Sequence, residues 1–276
     1  RAAIDLYGGS LKVSSARASA HVTPASLRDA EMLDAIAAEP LRIVLVGQTG
    51  SGKSSLINQL TGSLDAETDV LPATARQTAY RVMREGLPAA LLIDTPGLGA
   101  VGSFDYADLM RSMEECDLVL LVLSAGRAAR SAEREALEHA RRHFANLGQR
   151  LPPTLLVLTH IDRLRPFQQW SPPFDIVNAG TEKARSIRAA VETIAGELGI
   201  PAERIVPVRA DATPYNIDAL WARIFERLPE AKRQRLSRCV RDAAGNWSWN
   251  SVLSQAANAG RIFARTVLQP EEGRKP

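Results

Sequence analysis

The sequence predicts an α/β protein: a mostly parallel sheet of six strands with one antiparallel strand, and helices on both faces. Two observations support this prediction. Between residues 41 and 228, short apolar runs of strand length alternate with helical patterns, which is typical of a doubly wound, three-layer fold. Only a short turn separates the runs 80–84 and 89–94, which leaves room for a hairpin but not for a crossover helix. The first strand of this pair is therefore expected to run antiparallel to its neighbours.

The elements follow in order along the chain. Strands are predicted at 41–46, 80–84, 89–94, 117–123, 154–159 and 204–208, and helices at 53–61, 103–115, 130–145, 180–198 and 214–228. Apolar residues at helical spacing before Pro40 predict a further helix, and after Pro229 the pattern indicates two more, 229–243 and 248–268. We therefore expect three parts: an N-terminal linker and helix (1–40), a central domain (41–228) and a C-terminal helical extension (229–276).

Composition bounds the classes of protein. The chain is 45% hydrophobic and 24% charged over 276 residues, as in a soluble globular protein. Its longest aliphatic run, 118–123, is far shorter than the roughly 20 residues of a membrane-spanning helix. Only Cys116 and Cys239 are present, which favours a reducing compartment and predicts a cytoplasmic location. Because the chain begins with Arg1, we expect it to be a piece of a longer protein.

The net charge of +3 derives partly from the segment 227–241. This segment lacks the interleaved aromatic residues of nucleic-acid platforms, so we interpret it as the solvated basic face of a helix, with no indication of DNA binding. Trp247 and Trp249 open an apolar stripe on the last predicted helix. That stripe favours packing on the domain over a membrane-surface helix.

The stretch "GQTGSGKS" fits the phosphate-binding pattern G-x-x-x-x-G-K-[ST] between a predicted strand and a predicted helix. Its glycines let successive backbone N–H groups point at a phosphate, and the helix that follows adds the positive end of its dipole. Lys53 is expected to reach the β- and γ-phosphates, and Ser54 to bind Mg²⁺. The predicted nucleotide-binding residues of this loop are Gly47, Gln48, Thr49, Gly50, Ser51, Gly52, Lys53, Ser54 and Ser55.

Two later motifs complete the predicted site. In "DTPG", Asp94 ends a strand where its carboxylate can hold Mg²⁺ through water, and the N–H of Gly97 can meet the γ-phosphate. Because only the triphosphate offers that contact, the segment 96–106 is predicted to be a switch loop. In "THID", Asp162 can accept hydrogen bonds from guanine N1–H and N2–H₂, donors that adenine lacks. Thr159 and His160 precede it, and the amide of Ala210 is expected to face guanine O6.

Because these motifs occur in this order, residues 41–228 resemble the P-loop GTPases. They look most like the translation-factor-related class with its Era-like, septin-like and dynamin-like members, including bacterial membrane-associated and 50S ribosome-binding-type GTPases. The resemblance implies a Ras-like fold, binding of GTP and GDP with Mg²⁺, slow hydrolysis and a partner-controlled cycle. The sequence departs from the class at Thr159 and His160, where many relatives have Asn and Lys, and at Arg209-Ala210-Asp211, where the usual motif is Ser-Ala-Lys.

The resemblance also implies a switch threonine that binds Mg²⁺ and the γ-phosphate. Thr78 is favoured, with Thr74 as the alternative, so Lys53, Thr78 and Gly97 are the predicted catalytic residues and Ser54, Thr78 and Asp94 the predicted metal ligands. Leu98 stands where Ras-like enzymes carry a catalytic Gln, and Gly50 where potassium-activated relatives carry an Asn. We therefore expect slow intrinsic turnover, accelerated by a partner or by homodimerisation across the nucleotide face, with Arg76 or Arg127 acting in trans.

The sequence leaves three alternatives open for the function and for a possible metal site. One is a GTP-dependent scaffold that does not hydrolyse its nucleotide and assembles on a membrane or ribosome. A P-loop ATPase or kinase is another, although neither would require Asp162. His139 and His143 have the i, i+4 spacing of a zinc pair but lack a third ligand, so a charged solvent face is favoured.

Overall fold

The computed structural model of the chain describes residues 39–62, 67–74, 77–83, 89–100 and 104–244. The predicted N-terminal helix and the predicted helix 248–268, with Trp247 and Trp249, lie outside these residues. No helix in the described part of the chain is long and apolar enough to cross a bilayer.

The centre of the fold is one mixed sheet in the order β2-β3-β4-β1-β5-β6-β7. Only β3 runs antiparallel, to both β2 and β4, and the remaining neighbours pair in parallel. The predicted fold class and the predicted antiparallel strand are thus confirmed. The seven strands are β1 Leu41–Val46, β2 Glu67–Thr74, β3 Gln77–Met83, β4 Ala90–Asp94, β5 Leu118–Ser124, β6 Thr154–Thr159 and β7 Ile205–Pro207.

The sheet has one strand more than the six predicted. The additional strand is β2, which contains Pro72 and occupies one edge of the sheet. Proline cannot donate a ladder hydrogen bond, so its presence argues against a central strand, but an edge strand tolerates it. The prediction therefore failed where a proline-containing sequence forms an edge.

Helices cover both faces of the sheet. Their bounds are α1 Lys53–Gly62, α2 Tyr106–Glu114, α3 Ser131–Asn146, α4 Glu182–Leu198, α5 Ile217–Glu226 and α6 Leu228–Ala244. Short 3₁₀ turns at Ile161–Arg163 and Ala202–Arg204 follow β6 and precede β7. The bounds agree with the predicted helices to within a few residues.

Alternate residues of each central strand enter two separate cores. Val44 and Val46 of β1 pack with residues of α2, α3 and α4, whereas Ile43 and Leu45 pack with residues of α1, α5 and α6. A strand buried on both faces has no polar side, which explains why the sequences of β1 and β5 are nearly continuous apolar runs. Because β1 lies between β4 and β5, the loops that follow these three strands meet at one edge of the sheet, where open α/β sheets bind ligands.

Helix α6 is attached to the opposite edge by buried charges. Asp117, which precedes β5 and is fully buried, accepts a hydrogen bond from the backbone N–H of Arg42 at 2.9 Å. Arg235 and Arg238 of α6 lie 3.5 and 3.4 Å from its two carboxylate oxygens and are themselves buried. The interpretation of 227–241 as a solvated basic face was therefore wrong for these two arginines, because the sequence pattern could not reveal their buried partner.

Candidate nucleotide-binding site

The loop between β1 and α1 has the backbone of a phosphate cradle. Gly50 and Gly52 have φ angles of +77° and +94°, a region that side chains disfavour. A Cβ at Gly47 would collide with the carbonyl oxygen of Val122 on β5, so this position admits only glycine. The N–H of Ser51 donates to the carbonyl of Gln48 at 3.0 Å, closing the turn that leads into α1. These features position the loop directly over the edge of the sheet.

Lys53 begins α1 and folds back over this loop. Its Nζ donates to the carbonyl oxygens of Gly47 at 3.0 Å and Gln48 at 3.4 Å, and only 8% of the residue is exposed. Burial lowers the pKa of Lys53, while the negative charges of Asp94 and Glu133 oppose this shift. The ammonium is therefore held inside the cradle, where phosphate oxygens would be stronger acceptors than neutral carbonyls.

Ser54 and Asp94 form a pair of oxygen ligands next to Lys53. The Ser54 hydroxyl donates to Asp94 Oδ2 at 3.1 Å, and Asp94 Oδ1 is buried with no hydrogen-bond partner among the described residues. Burial raises the pKa of Asp94, with Lys53 and the Ser54 hydrogen bond acting in the opposite direction. Hydroxyl and carboxylate oxygens are the ligands that Mg²⁺ prefers, so the residues present fit this ion.

Thr78 lies beside this pair, within strand β3 instead of a loop. It is the register partner of Asp94 across the antiparallel β3–β4 ladder. Side chains directly opposite each other in such a ladder share one face, so those of Thr78 and Asp94 are neighbours. Thr74 pairs with Gln77 at the end of β2, one strand further away. This placement supports Thr78 over Thr74, although the choice of switch threonine stays a prediction.

The "DTPG" segment packs directly on the phosphate cradle. The N–H of Leu98 donates to the carbonyl of Gly47 at 3.0 Å, and Gly97 lies so close to the backbone of Thr49 that any Cβ would collide with it. The buried Thr95 hydroxyl donates to the carbonyl of Leu45 at 2.7 Å. Movement of this segment would therefore break its contacts with Gly47 and Thr49 of the cradle.

Thr159, at the end of β6, joins the base-side loop to the cradle. Its hydroxyl lies 2.6 Å from the carbonyl oxygen of Ser51 and 3.0 Å from that of Leu123. His160 Nδ1 lies 3.0 Å from the same hydroxyl, and the ring approaches Gly52 closely. Burial lowers the pKa of His160, a nearby Arg163 adds to this, and two aspartates oppose it. His160 therefore lies over the cradle beside Gly52.

Asp162 lies in the 3₁₀ turn after β6, two residues beyond His160, which adopts a left-handed backbone with φ of 56°. A buried lysine that the motifs did not indicate holds this turn. Lys183 of α4 is fully buried, and its Nζ donates to the carbonyl oxygens of Asp162 at 2.7 Å, Leu164, and Pro166 at 3.4 Å. Burial lowers the pKa of Lys183, and the charge of Asp162 opposes the shift. The loop is thereby fixed from its inner side, leaving the Asp162 carboxylate partly exposed.

Ala210 follows β7 on the neighbouring loop. Its neighbour Arg209 pairs through its backbone with Tyr215 and forms an ion pair with Asp211 at 2.7 Å. The Arg209 guanidinium also lies 5.2 Å from the centre of the Trp170 ring, which belongs to the loop after β6. Ala210 and Asp162 are therefore carried by two loops that contact each other, as a shared base pocket requires.

The comparisons with known proteins agree with this geometry. A family model described as 50S ribosome-binding GTPase matches residues 42–160, from the start of β1 to the end of β6. This segment matches a GTPase family. We refer to it, together with the elements packed on it, as the G domain.

The relatives share the G domain and extend well beyond it. GTPase Era of Acidimicrobium ferrooxidans is 33% identical over 135 residues, which are 46% of this chain and 43% of that protein. GTPase HflX of Gluconacetobacter diazotrophicus is 34% identical over 143 residues, 50% of this chain and 31% of that protein. A crystal structure of Era with MgGDPNP and nucleotides of 16S ribosomal RNA is 19% identical, with a TM-score of 0.48 over 68% of this chain and 56% of that chain. The chain thus spans less than half the length of the two GTPase relatives.

The G domain also has a polar network that the motifs did not predict. Gln48 donates through Nε2 to Glu133 Oε2 at 2.7 Å and to the carbonyl of Ala129 at 3.0 Å. Its Oε1 accepts a hydrogen bond from Arg127 Nη1 at 2.6 Å. Arg127, named above as a candidate to act in trans, is thus bound to its own chain, while Arg76 lies outside the described residues.

The two histidines of α3 connect this helix to α2. His143 Nε2 lies 2.7 Å from Glu114 Oε1, and the His139 ring stacks on Tyr106 with centroids 4.2 Å apart. Both rings are half-buried on this face and have partners on α2. In the part of the chain that the structure describes, no three or more His, Cys, Asp or Glu side chains form a metal-binding group.

Proposed function

We propose that the G domain binds GTP and GDP with Mg²⁺ and hydrolyses GTP to GDP and phosphate as a slow molecular switch. The observation that carries this proposal is the contact between Thr159 and Ser51. It fixes the loop of Asp162, which would read guanine, against the loop that would hold the phosphates. A phosphate cradle alone would serve any nucleoside triphosphate, whereas this contact supports guanine selection because it ties the loop of Asp162 to the cradle.

Each residue then has a defined task. Lys53 holds the β- and γ-phosphates with an ammonium already positioned in the cradle, and the N–H of Gly97 binds the γ-phosphate when it is present. Thr78, Ser54 and Asp94 hold Mg²⁺, which when bound neutralises charge on the phosphates. Loss of the γ-phosphate removes the acceptor for Gly97 and releases the segment that packs on Thr49.

The remaining site assignments follow from position. Gly52 and Ser55 contribute backbone N–H groups to the phosphates, Ser51 closes the turn of the loop through its own N–H, and Thr159, His160 and Ala210 complete the pocket for the base. Leu98 is buried where a catalytic Gln would stand, and its apolar side chain cannot orient water. We therefore propose slow intrinsic turnover that a partner or dimerisation across the nucleotide face accelerates.

The wider setting is proposed on the description of the matching family. We propose a G domain over 41–228 flanked by an N-terminal segment and a C-terminal helical extension that carry the output of the switch. The family description favours a ribosome as the assembly partner, with a membrane surface as the alternative, and a cytoplasmic location accords with both.

Single-turnover hydrolysis tests this proposal. The purified chain is mixed with substoichiometric GTP, ATP or XTP and Mg²⁺ at several protein concentrations, and released phosphate is measured. We expect slow hydrolysis of GTP alone, rising with protein concentration if dimerisation contributes.

A base-swap variant excludes contaminating enzymes. Asp162→Asn should transfer activity from GTP to XTP, because an amide presents a donor where xanthine offers an oxygen, whereas the exposed Asp218→Asn on α5 should change nothing. GTP binding without hydrolysis would instead support the scaffold reading, and an unchanged preference in Asp162→Asn would remove Asp162 as the base reader.

A further inference from the structure

Arg127 lies at the rim of the phosphate cradle of its own chain. It follows β5 in a turn in which its N–H donates to the carbonyl of Ser124 at 3.2 Å, and its side chain is exposed. Strand β5 neighbours β1, so the loops after the two strands stand side by side. The side chain crosses from one loop to the other.

Gln48 fixes where the guanidinium lies. The amide of Gln48 is anchored on its nitrogen side by the buried Glu133 and by the carbonyl of Ala129. Its oxygen is therefore presented to Arg127, and the 2.6 Å contact has the length of a strong charge-assisted hydrogen bond. Since both amide positions of Gln48 are occupied, its orientation is determined rather than interchangeable.

The guanidinium lies against the cradle at Thr49 and Gly50. Arg127 Nη1 also donates to the carbonyl of Thr49 at 3.2 Å, and Nη2 lies 3.9 Å from the position that a Cβ of Gly50 would occupy. Thr49 in turn contacts Gly97, the residue proposed to meet the γ-phosphate. Arg127 Nη2 and Nε have no hydrogen-bond acceptor among the described residues. Two donors thus remain available beside Thr49 and Gly50.

We propose that Arg127 is a catalytic residue that contacts the phosphates of GTP bound in the same chain. This inference rests on the proposed function and differs from the expectation that Arg127 acts in trans. During hydrolysis, a water oxygen bonds to the γ-phosphorus and the bond from that phosphorus to the β–γ bridging oxygen breaks. The electron pair stays on the GDP oxygen. One proton of the water stays on its oxygen, which is now bound to phosphorus, and the other passes to a γ-phosphate oxygen, so that both leave with the inorganic phosphate. Arg127 stabilises the negative charge that develops on the bridging and γ-phosphate oxygens.

Gln48 is then a positioning residue. It does not reach the phosphates through its side chain, because both ends of the amide are bound to Glu133, Ala129 and Arg127. Its removal should leave the charge of Arg127 in place but release the guanidinium from its fixed orientation. Arg127, positioned by Gln48, would thereby supply transition-state stabilisation in a G domain that has Leu98 where a catalytic glutamine was expected.

Single-turnover hydrolysis of prebound, γ-labelled GTP tests the proposal, with GDP affinity measured in parallel. Arg127→Ala should lower the rate by about a hundredfold or more, the loss typical of a positioned charge on the transition state. Its affinity for GDP should stay within about threefold of the original, because GDP lacks the γ-phosphate. Gln48→Ala should give a smaller loss of rate, and Arg134→Ala, an exposed arginine on α3, should give none.

A mixing experiment separates action in cis from action in trans. Arg127→Ala protein loaded with labelled GTP is combined with excess original protein loaded with unlabelled GDP. A cis residue predicts no rescue. Recovery of the rate on mixing, or an unchanged rate in Arg127→Ala alone, would overturn the inference. If the original protein neither binds nor hydrolyses GTP, the proposed function itself fails, which is a different result.

Discussion

The hydroxyl of Thr159 lies 2.6 Å from the carbonyl oxygen of Ser51 in the phosphate cradle. Two loops that are far apart in sequence are joined by this one buried contact. The hydroxyl of Thr159 makes the hydrogen bond that, in many relatives, the side-chain amide of an asparagine would make. The hydroxyl of Thr159 therefore joins the loop after β6 to the loop between β1 and α1.

Removing this contact should weaken nucleotide binding. Thr159→Ala removes a hydroxyl whose single proton serves the carbonyl of Ser51 or that of Leu123, and leaving a buried carbonyl without its donor costs about 1–3 kcal/mol. We expect the Kd for GDP, measured by calorimetry, to rise about tenfold or more. Thr159→Ser is the matched control because it keeps the hydroxyl. A Kd that is equal in both variants would show that the contact does not support the site.

Asp94→Asn should uncouple nucleotide binding from Mg²⁺. The original protein should bind GDP more tightly with Mg²⁺ than with EDTA, and the variant should lose most of this difference. Because Mg²⁺ binds the carboxylate, the difference should also shrink as the pH falls through the pKa of Asp94, which burial raises above the ordinary value of 3.8. Persistence of the full Mg²⁺ effect in the variant would exclude Asp94 as a ligand.

In the protein without nucleotide, the raised pKa of Asp94 means that the ionised carboxylate destabilises the fold. A raised folded-state pKa contributes stability that is fully present below pH 3.8 and is lost as the pH rises through the folded pKa. Asp94→Asn has no such proton to lose. We therefore expect thermal unfolding without nucleotide to show a higher Tm for the variant at neutral pH, and a smaller difference at the most acidic pH where the protein stays folded.

Asp117 should be a major determinant of stability. Asp117→Ala leaves Arg235 and Arg238 buried without their carboxylate, and breaking a buried ion pair typically costs 3–5 kcal/mol. Urea unfolding should show a loss of about this size. Glu115→Ala is the control, because Glu115 is mostly exposed and its ion pair with Arg42 is long at 4.0 Å. Equal effects of the two variants would mean that α6 is not held through Asp117.

Lys183 should affect selectivity for the base more than binding of the phosphates. Lys183→Met fills similar volume but removes the donor to the carbonyls of Asp162, Leu164 and Pro166. Three carbonyls lose their partner, so we expect a lower Tm and a reduced preference for GDP over ADP in competition binding. Selectivity equal to that of the original protein would show that the turn of Asp162 keeps its shape without Lys183.

Sequence patterns predicted most of the fold because strands buried on both faces and the helices between them leave clear periodic signals. The phosphate cradle, Asp94 and Asp162 were also accessible, since each belongs to a motif whose spacing follows from its chemistry. β2 was missed because Pro72 is an unfavourable strand residue whose edge location periodicity cannot show.

The sequence did not indicate the roles of the remaining residues, for a different reason. Lys183, Arg235 and Arg127 are ordinary basic residues in helical or loop segments, and their roles arise only from distant partners. A buried lysine on backbone carbonyls, or an arginine on a buried aspartate, has no local signal, because each partner lies on another element of the fold.

The central claim is that the G domain selects guanine nucleotides. Calorimetric titration of the purified chain with Mg²⁺ against GDP and ADP, side by side, tests it most directly. We predict binding of GDP and no measurable binding of ADP. Equal affinity for the two nucleotides, or preference for ADP, would contradict the claim and leave a phosphate cradle that does not read the base.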